Sequence, residues 1–139
     1  MKLDRITNIL LVDDDTVDVM NLERAFSRGS ISNPVFVASN GVDALSLLRS
    51  PSFPKNRVLV LLDINMPKMN GMEFLRALRQ DPDLAATTVV VLTTSNEERD
   101  RLEAYRLNVA GYLLKPINSS SFVELASAMN KYWSLMEMP

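Results

Sequence analysis

The sequence predicts an α/β domain in which a five-stranded parallel sheet carries helices on both faces. Three observations lead there. Five short aliphatic runs recur along the chain, and the middle one, Val58 to Leu62, is apolar at every position and bounded by turn residues, as a strand buried on both faces is. Amphipathic segments of helical period separate the runs, and strict alternation of strand and helix implies parallel pairing through right-handed crossovers. Finally, four of the five runs end in chemically capable residues: Asp13-Asp14, Asp63, Thr93 and Lys115. In a parallel sheet those ends share one edge, the edge where open α/β folds place their chemistry.

Taken in order, Asn8 to Val12 is a buried strand closing on Asp13, Asp14 and Asp15. Val17, Met20, Leu22 and Phe26, interleaved with Glu23, Arg24 and Arg28, predict a helix ending at Gly29. Asn33-Pro34 leads into a second strand, Val35 to Ala38, and Asn40-Gly41 turns into a helix through Val42, Leu45, Leu47 and Leu48. This strand ends on Ala38-Ser39, with no comparable functional group, as expected of a strand at the sheet's border. The loop Ser50 to Asn56 leads to the central strand, Val58 to Leu62. After Asp63 a polar turn runs to Gly71, and Met72, Phe74, Leu75 and Leu78 mark a helix stopped near Asp81-Pro82.

Thr88 to Leu92 is the fourth strand, closing on Thr93, Thr94 and Ser95. A charged helix follows over Glu97 to Leu107, then a fifth strand, Ala110 to Leu114, ending at Lys115-Pro116. Ser121 and Glu124 have capping-box spacing. They open a last helix whose apolar side reads Phe122, Leu125, Ala126, Met129, Tyr132 (or Trp133) and Met136. One domain, residues 1–139, accounts for every segment.

Composition narrows the chemistry. The chain is 47% hydrophobic and 23% charged, as ordinary globular domains are. It contains neither Cys nor His, so disulfides, thiolate or imidazole metal ligands, a His general base and a serine triad are all excluded. A net charge of −2 argues against nonspecific nucleic-acid binding. No leader-like apolar segment opens the chain and no run approaches membrane-spanning length, so no membrane association and a cytoplasmic location are expected.

Each residue at the strand ends has a bland explanation by itself. Asp14 or Asp15 suits a helix N-cap, Thr93 an ordinary β-branched strand position, and Lys115 a solvated strand end. Together those explanations require a coincidence at four strand ends. Three clustered carboxylates repel one another and raise their pKa values unless a cation intervenes. Oxygen ligands without His or Cys select a hard divalent cation, Mg²⁺ or Mn²⁺. With the charge of Lys115 and the hydroxyl of Thr93, this is a phosphoryl-transfer pocket, in which a carboxylate nucleophile, Asp63, gives an acyl phosphate. The absence of His means that any phosphohistidine in such a relay comes from a partner.

The residues that carry this chemistry resemble the receiver domain of two-component response regulators over essentially the whole chain. The matching pieces are Leu10 to Asp15, Ala38 to Leu45, Leu61 to Gly71, Val89 to Ser95 and Gly111 to Pro116. The resemblance implies a flavodoxin-like (βα)5 doubly wound sheet of order 2-1-3-4-5. It implies that Asp63 is the phosphoacceptor and that Asp13, Asp14, Asp63 and the backbone carbonyl of Asn65 hold Mg²⁺ (or Mn²⁺). Thr93 then bonds a phosphoryl oxygen and shifts on phosphorylation, Lys115 pairs with another, Tyr112 turns inward as the aromatic switch, and Lys115-Pro116 is a cis peptide. Asn65 and Thr94, beside the acceptor, are expected to tune hydrolysis by gating water.

Val89 to Asp100, with Tyr105 shortly after, resembles small single-domain regulators without an output domain that partner phytochrome-type sensor histidine kinases. Such a protein is a signalling phosphoacceptor, catalysing only its own phosphorylation and slow autodephosphorylation. The resemblance puts its readout on the fourth helix, fifth strand and last helix (α4-β5-α5), where Tyr132, Trp133, Leu135 and Met136 suggest a phosphorylation-sensitive homodimer. An alternative is a haloacid-dehalogenase-like phosphatase with Asp13 as nucleophile, since Asp13 to Val17 fits the D-x-D-x-[TV] signature. It lacks a suitable acidic pair beyond Lys115 and leaves the turn after Asp63 unexplained. A flavodoxin-like FMN carrier would need phosphate-cradling Ser, Thr or Gly where this chain has three acids.

Overall fold

The structure is a computed structural model that describes residues 7–28, 33–115, 124, 127, 128, 131, 132 and 135. Its elements alternate as expected: β1 (Asn8–Val12), α1 (Thr16–Arg28), β2 (Val35–Ala38), α2 (Gly41–Arg49), β3 (Val58–Leu62), α3 (Gly71–Gln80), β4 (Thr88–Thr93), α4 (Glu98–Arg106) and β5 (Gly111–Leu114). All strand pairs are parallel, in the order β2-β1-β3-β4-β5. This is the doubly wound flavodoxin-like order, with β2 at one border. The described residues from 124 to 135 are helical, where the last helix is expected. Its apolar positions Phe122, Leu125, Ala126, Met129, Trp133 and Met136, the Ser121 half of its capping box, and Pro116 lie outside the described residues.

Strand alternation divides the core into two layers. Leu10, Val12, Val58, Val60, Leu62, Val89 and Val91 pack on the face covered by α2 and α3, with Phe74, Leu75 and Leu78 of α3 against them. Ile9, Leu11, Leu59, Leu61, Val90 and Leu92 pack on the other face, under Leu22, Ala25 and Phe26 of α1. Both faces of β3 are buried throughout, which is why it is apolar at every position.

The helix starts are chemically specified. Asn40 caps α2 by accepting from the Asp43 N–H at 2.8 Å. Asn70 and Glu73 form a complete capping box on α3, with Asn70 Oδ1 accepting from the Glu73 N–H at 2.9 Å and Glu73 Oε1 from the Asn70 N–H at 3.0 Å. That cap brings α3 hard against the turn after β3. A Cβ on Gly71 would fall 2.6 Å from the Ile64 Cα and closer still to the Asp63 carbonyl oxygen. Gly71 is therefore the condition for the α3 start to seat beneath Asp63, and its N–H donates to the Ile64 carbonyl at 2.8 Å.

Candidate functional site

Sheet hydrogen bonding continues one residue past the strand ends and so fixes the site's acids and base. The Asp13 N–H donates to the Ala38 carbonyl (3.0 Å), that of Asp63 to Val12 (2.9 Å) and that of Lys115 to Thr93 (2.8 Å). The side chains of Asp63, Lys115, Asp14, Asp15, Thr16, Asp18, Asn65 and Thr94 line an open cleft of about 460 Å³ at this edge. Asp13 lies behind it, buried.

The Lys115 ammonium is the hub. Its Nζ donates to Asp13 Oδ2 at 2.7 Å, to Asp18 Oδ2 at 2.7 Å and to Asp63 Oδ2 at 3.4 Å. The Lys115 side chain is only 11% exposed, so it is no solvated strand end. Burial by itself would lower its pKa, but the bonds to Asp13 and Asp18 and the nearby Asp63 charge outweigh it and push the pKa up. Asp13 moves the opposite way for an acid: desolvation raises its pKa, against the lowering effect of Lys115 and the Asp15 N–H. One ammonium thus faces the carboxylates of Asp13, Asp14, Asp15, Asp18 and Asp63.

That imbalance suits a cation. Single carboxylate oxygens of Asp13, Asp14 and Asp63 lie within 4.8 Å of one another. All are oxygen donors, and Asp14 is exposed and free to turn. The donor set fits Mg²⁺ or Mn²⁺. Asn65 borders the same space, its N–H donating to Asp63 Oδ1 at 3.3 Å.

Thr93 and Tyr112 sit apart from this cluster, for a reason of parity. Asp13 and Asp63 continue the alternation of Ile9, Leu11, Leu59 and Leu61, on the α1 side of the sheet. Thr93 continues Val89 and Val91, on the opposite side, and is fully buried. Its Oγ1 accepts from the Ser95 N–H at 3.3 Å, and its neighbour Thr94 lines the cleft instead. The Tyr112 hydroxyl donates to the Ser95 carbonyl at 2.9 Å, and the Ser95 hydroxyl bonds the Asp100 carboxylate. Ser95 is therefore a direct bridge between Thr93, Tyr112 and the first turn of α4. Burial raises the Tyr112 pKa.

The acidic run after β1 also separates into distinct roles. Asp15 Oδ1 accepts from the N–H groups of Val17 (2.9 Å) and Asp18 (3.2 Å), capping α1. Asp14 is left for the cleft. The capping role thus falls on Asp15, the second acid of the phosphatase-like signature. Sequence reasoning did not single out Asp18 or Ser95. Asp18 looks like an ordinary first-turn acid favoured by the helix dipole, and only the packing of α1 across the sheet end brings it to Lys115.

Comparison with known proteins supplies the family. The family model described as the response regulator receiver domain matches residues 9–127. Response regulator Rcp1 of Synechocystis sp. is 33% identical over 128 residues, covering 90% of this chain and 87% of that protein. Among solved structures, the phosphorylated cyanobacterial phytochrome response regulator RcpA superposes with a TM-score of 0.82 at 31% identity, covering 96% of this chain and 99% of its own. The Mn²⁺-bound form of Rcp1 gives 0.80 at 32% identity, with the same coverages.

Proposed function

The chain belongs to the response regulator receiver domain family, and on that premise we propose that Asp63 is the residue that accepts the phosphoryl group. Receiver domains are phosphoacceptors of two-component signalling, supplied by histidine kinases, and they bind Mg²⁺ or Mn²⁺. The observation that carries the assignment to Asp63 is its position. It ends the central strand, borders the open cleft, lies within metal-sharing reach of Asp13 and Asp14, and stands 3.4 Å from Lys115.

In this reading an Asp63 carboxylate oxygen attacks the phosphorus of the donor's phosphohistidine. The new O–P bond makes an acyl phosphate, the P–N bond breaks, and the donor's imidazole leaves. Asp13, Asp14, Asp63 and the Asn65 carbonyl would hold a divalent cation, which would supply positive charge to offset that of the carboxylates and the incoming phosphoryl group. Lys115 pairs with one phosphoryl oxygen. Thr93 shifts toward another, and this movement passes to Tyr112 and α4 through Ser95. Asn65 and Thr94, at the cleft mouth, set water's access to the acyl phosphate.

The phosphodonor we favour is a phytochrome-type sensor histidine kinase in the cytoplasm, since RcpA is a phytochrome response regulator. The chain then acts as a signalling phosphoacceptor, whose chemistry is its own phosphorylation and slow dephosphorylation. The readout is a homodimer through α4, β5 and the C-terminal helix, where Leu102, Tyr105, Leu114, Tyr132 and Leu135 are exposed. Among the described residues no helix is long and apolar enough to cross a membrane.

Intact mass after incubation with acetyl phosphate and Mg²⁺ tests the acceptor. Wild type gains one PO₃H, and Asp63→Asn gains none. An adduct that persists in Asp63→Asn and disappears in Asp13→Asn overturns the assignment. Sedimentation with and without beryllofluoride tests the dimer, and a monomer in both states at high concentration refutes it.

A further inference from the structure

Lys115 has three N–H donors, and the structure aims them at Asp13, Asp18 and Asp63. The two short bonds, at 2.7 Å, go to Asp13 and Asp18, and the long one, at 3.4 Å, goes to the acceptor. Asp13 belongs to the group of carboxylates that suits a cation, so a bound ion competes with Lys115 for its charge. Asp18 is outside that group. Its hold on Lys115 therefore persists when the cation arrives.

From this geometry we propose that Asp18 is a positioning residue that holds Lys115 in a short bond, leaving only the longer contact to Asp63, until a phosphoryl group outcompetes it. The inference rests on Asp63 being the acceptor. α1 packs on the face of the sheet to which Asp13 and Asp63 belong by alternation, and its first turn carries Asp18 over the end of β5. Asp18 is the negative group that a phosphoryl oxygen must displace from the ammonium. The competition lowers the population of the phosphoryl-bound arrangement by the free energy of the Asp18–Lys115 bond. The Asp18 side chain is 34% exposed, so solvent screens the bond and its effect is modest.

Calorimetric titration with beryllofluoride at saturating Mg²⁺ reads this directly, with thermal midpoints measured in parallel to verify folding. Asp18→Asn is expected to tighten binding about fivefold, the scale of a part-exposed charge pair. A residue that merely supports the fold would weaken binding or leave it unchanged. Asp15→Asn is the control: it removes a charge from the same cleft, retains an N-cap side chain, and forms no hydrogen bond or ion pair with Lys115. It is expected to change affinity less than twofold. An unchanged or weakened Asp18→Asn, or an equal gain in Asp15→Asn, overturns the positioning role. Failure of wild type to bind beryllofluoride, or binding that survives in Asp63→Asn, overturns the acceptor assignment and this inference with it.

Discussion

Nζ of Lys115 lies 2.7 Å from Oδ2 of Asp18, a bond that joins the end of β5 to the first turn of α1 across 97 positions of sequence. The same ammonium holds the buried carboxylate of Asp13. Lys115 is therefore the internal counter-ion of the acidic cluster, bonded to a carboxylate that suits a metal.

Replacing that counter-ion exposes the competition. Lys115→Met leaves Asp13, with a side chain only 4% exposed, without its cation partner. Breaking a largely buried pair from one side costs about 3 kcal/mol, so the metal-free variant melts well below wild type. Mg²⁺ then meets no rival for the Asp13 carboxylate. Scanning calorimetry across a Mg²⁺ series should show a larger rise in Tm for the variant, and isothermal titration a tighter Kd. An equal Mg²⁺ response in both proteins would show that lysine and metal do not compete for that carboxylate.

Gly71 is predicted to be intolerant of even one methyl. An Ala side chain there meets backbone atoms of Asp63 and Ile64, which cannot rotate away. Overpacking of this kind costs about 2 kcal/mol. Urea denaturation of Gly71→Ala should show a lower midpoint with the slope unchanged. Mg²⁺ affinity should fall too, because the backbone that must yield carries Asp63.

Arg79 is predicted to be a structural clamp. Its guanidinium donates to the carbonyls of Leu107 (2.6 Å), Thr87 (2.7 Å), Ala85 (2.8 Å) and Asn108 (3.1 Å), tying α3 to the segment after α4 and the approach to β4. Charge-assisted bonds contribute about 2 kcal/mol each before screening and non-additivity. Arg79→Met should lose at least about 2 kcal/mol, and Arg79→Lys should recover little because an ammonium lacks the planar fork. Hydrogen exchange should accelerate at residues 107–110 in both.

Tyr112 gives a pH signature. Its folded-state pKa is raised by burial, so its neutral form contributes stability in full below the unfolded value of about 10. That contribution is lost as pH rises through the higher folded value. Tyr112→Phe removes the hydroxyl bond to Ser95, a loss of about 1 kcal/mol below pH ~10. The stability curves of wild type and variant should converge as the alkaline limb is climbed. Spectrophotometric titration should lose its raised phenol in the variant.

The element order was legible in the sequence because local physics sets it. The unbroken run Val58–Leu62, bounded by turn residues, has the pattern of a doubly buried strand, and β1, β2 and β3 occupy the predicted residues. Asp13, Asp14, Asp63 and Lys115 were legible for the same reason, since parallel strands bring equivalent ends to one edge. Division of labour within the acidic run was not. Asp14 and Asp15 are chemically identical, and only the path of α1 makes Asp15 its cap. Likewise Asn70 and Glu73 form a capping box that lies across the end of a polar turn and the start of a helix.

What the sequence by itself determined, then, is the alternation of strand and helix and the gathering of Asp13, Asp63 and Lys115, because hydrophobic period and strand ends are local properties. The tertiary structure alone decided which face each group occupies. Pairing register puts Thr93 on the side opposite Asp63, so that it is buried behind the cleft and bonded to Ser95. Helix packing carries Asp18 to Lys115. Both depend on how separate elements meet, and neither register nor packing is encoded in any one segment.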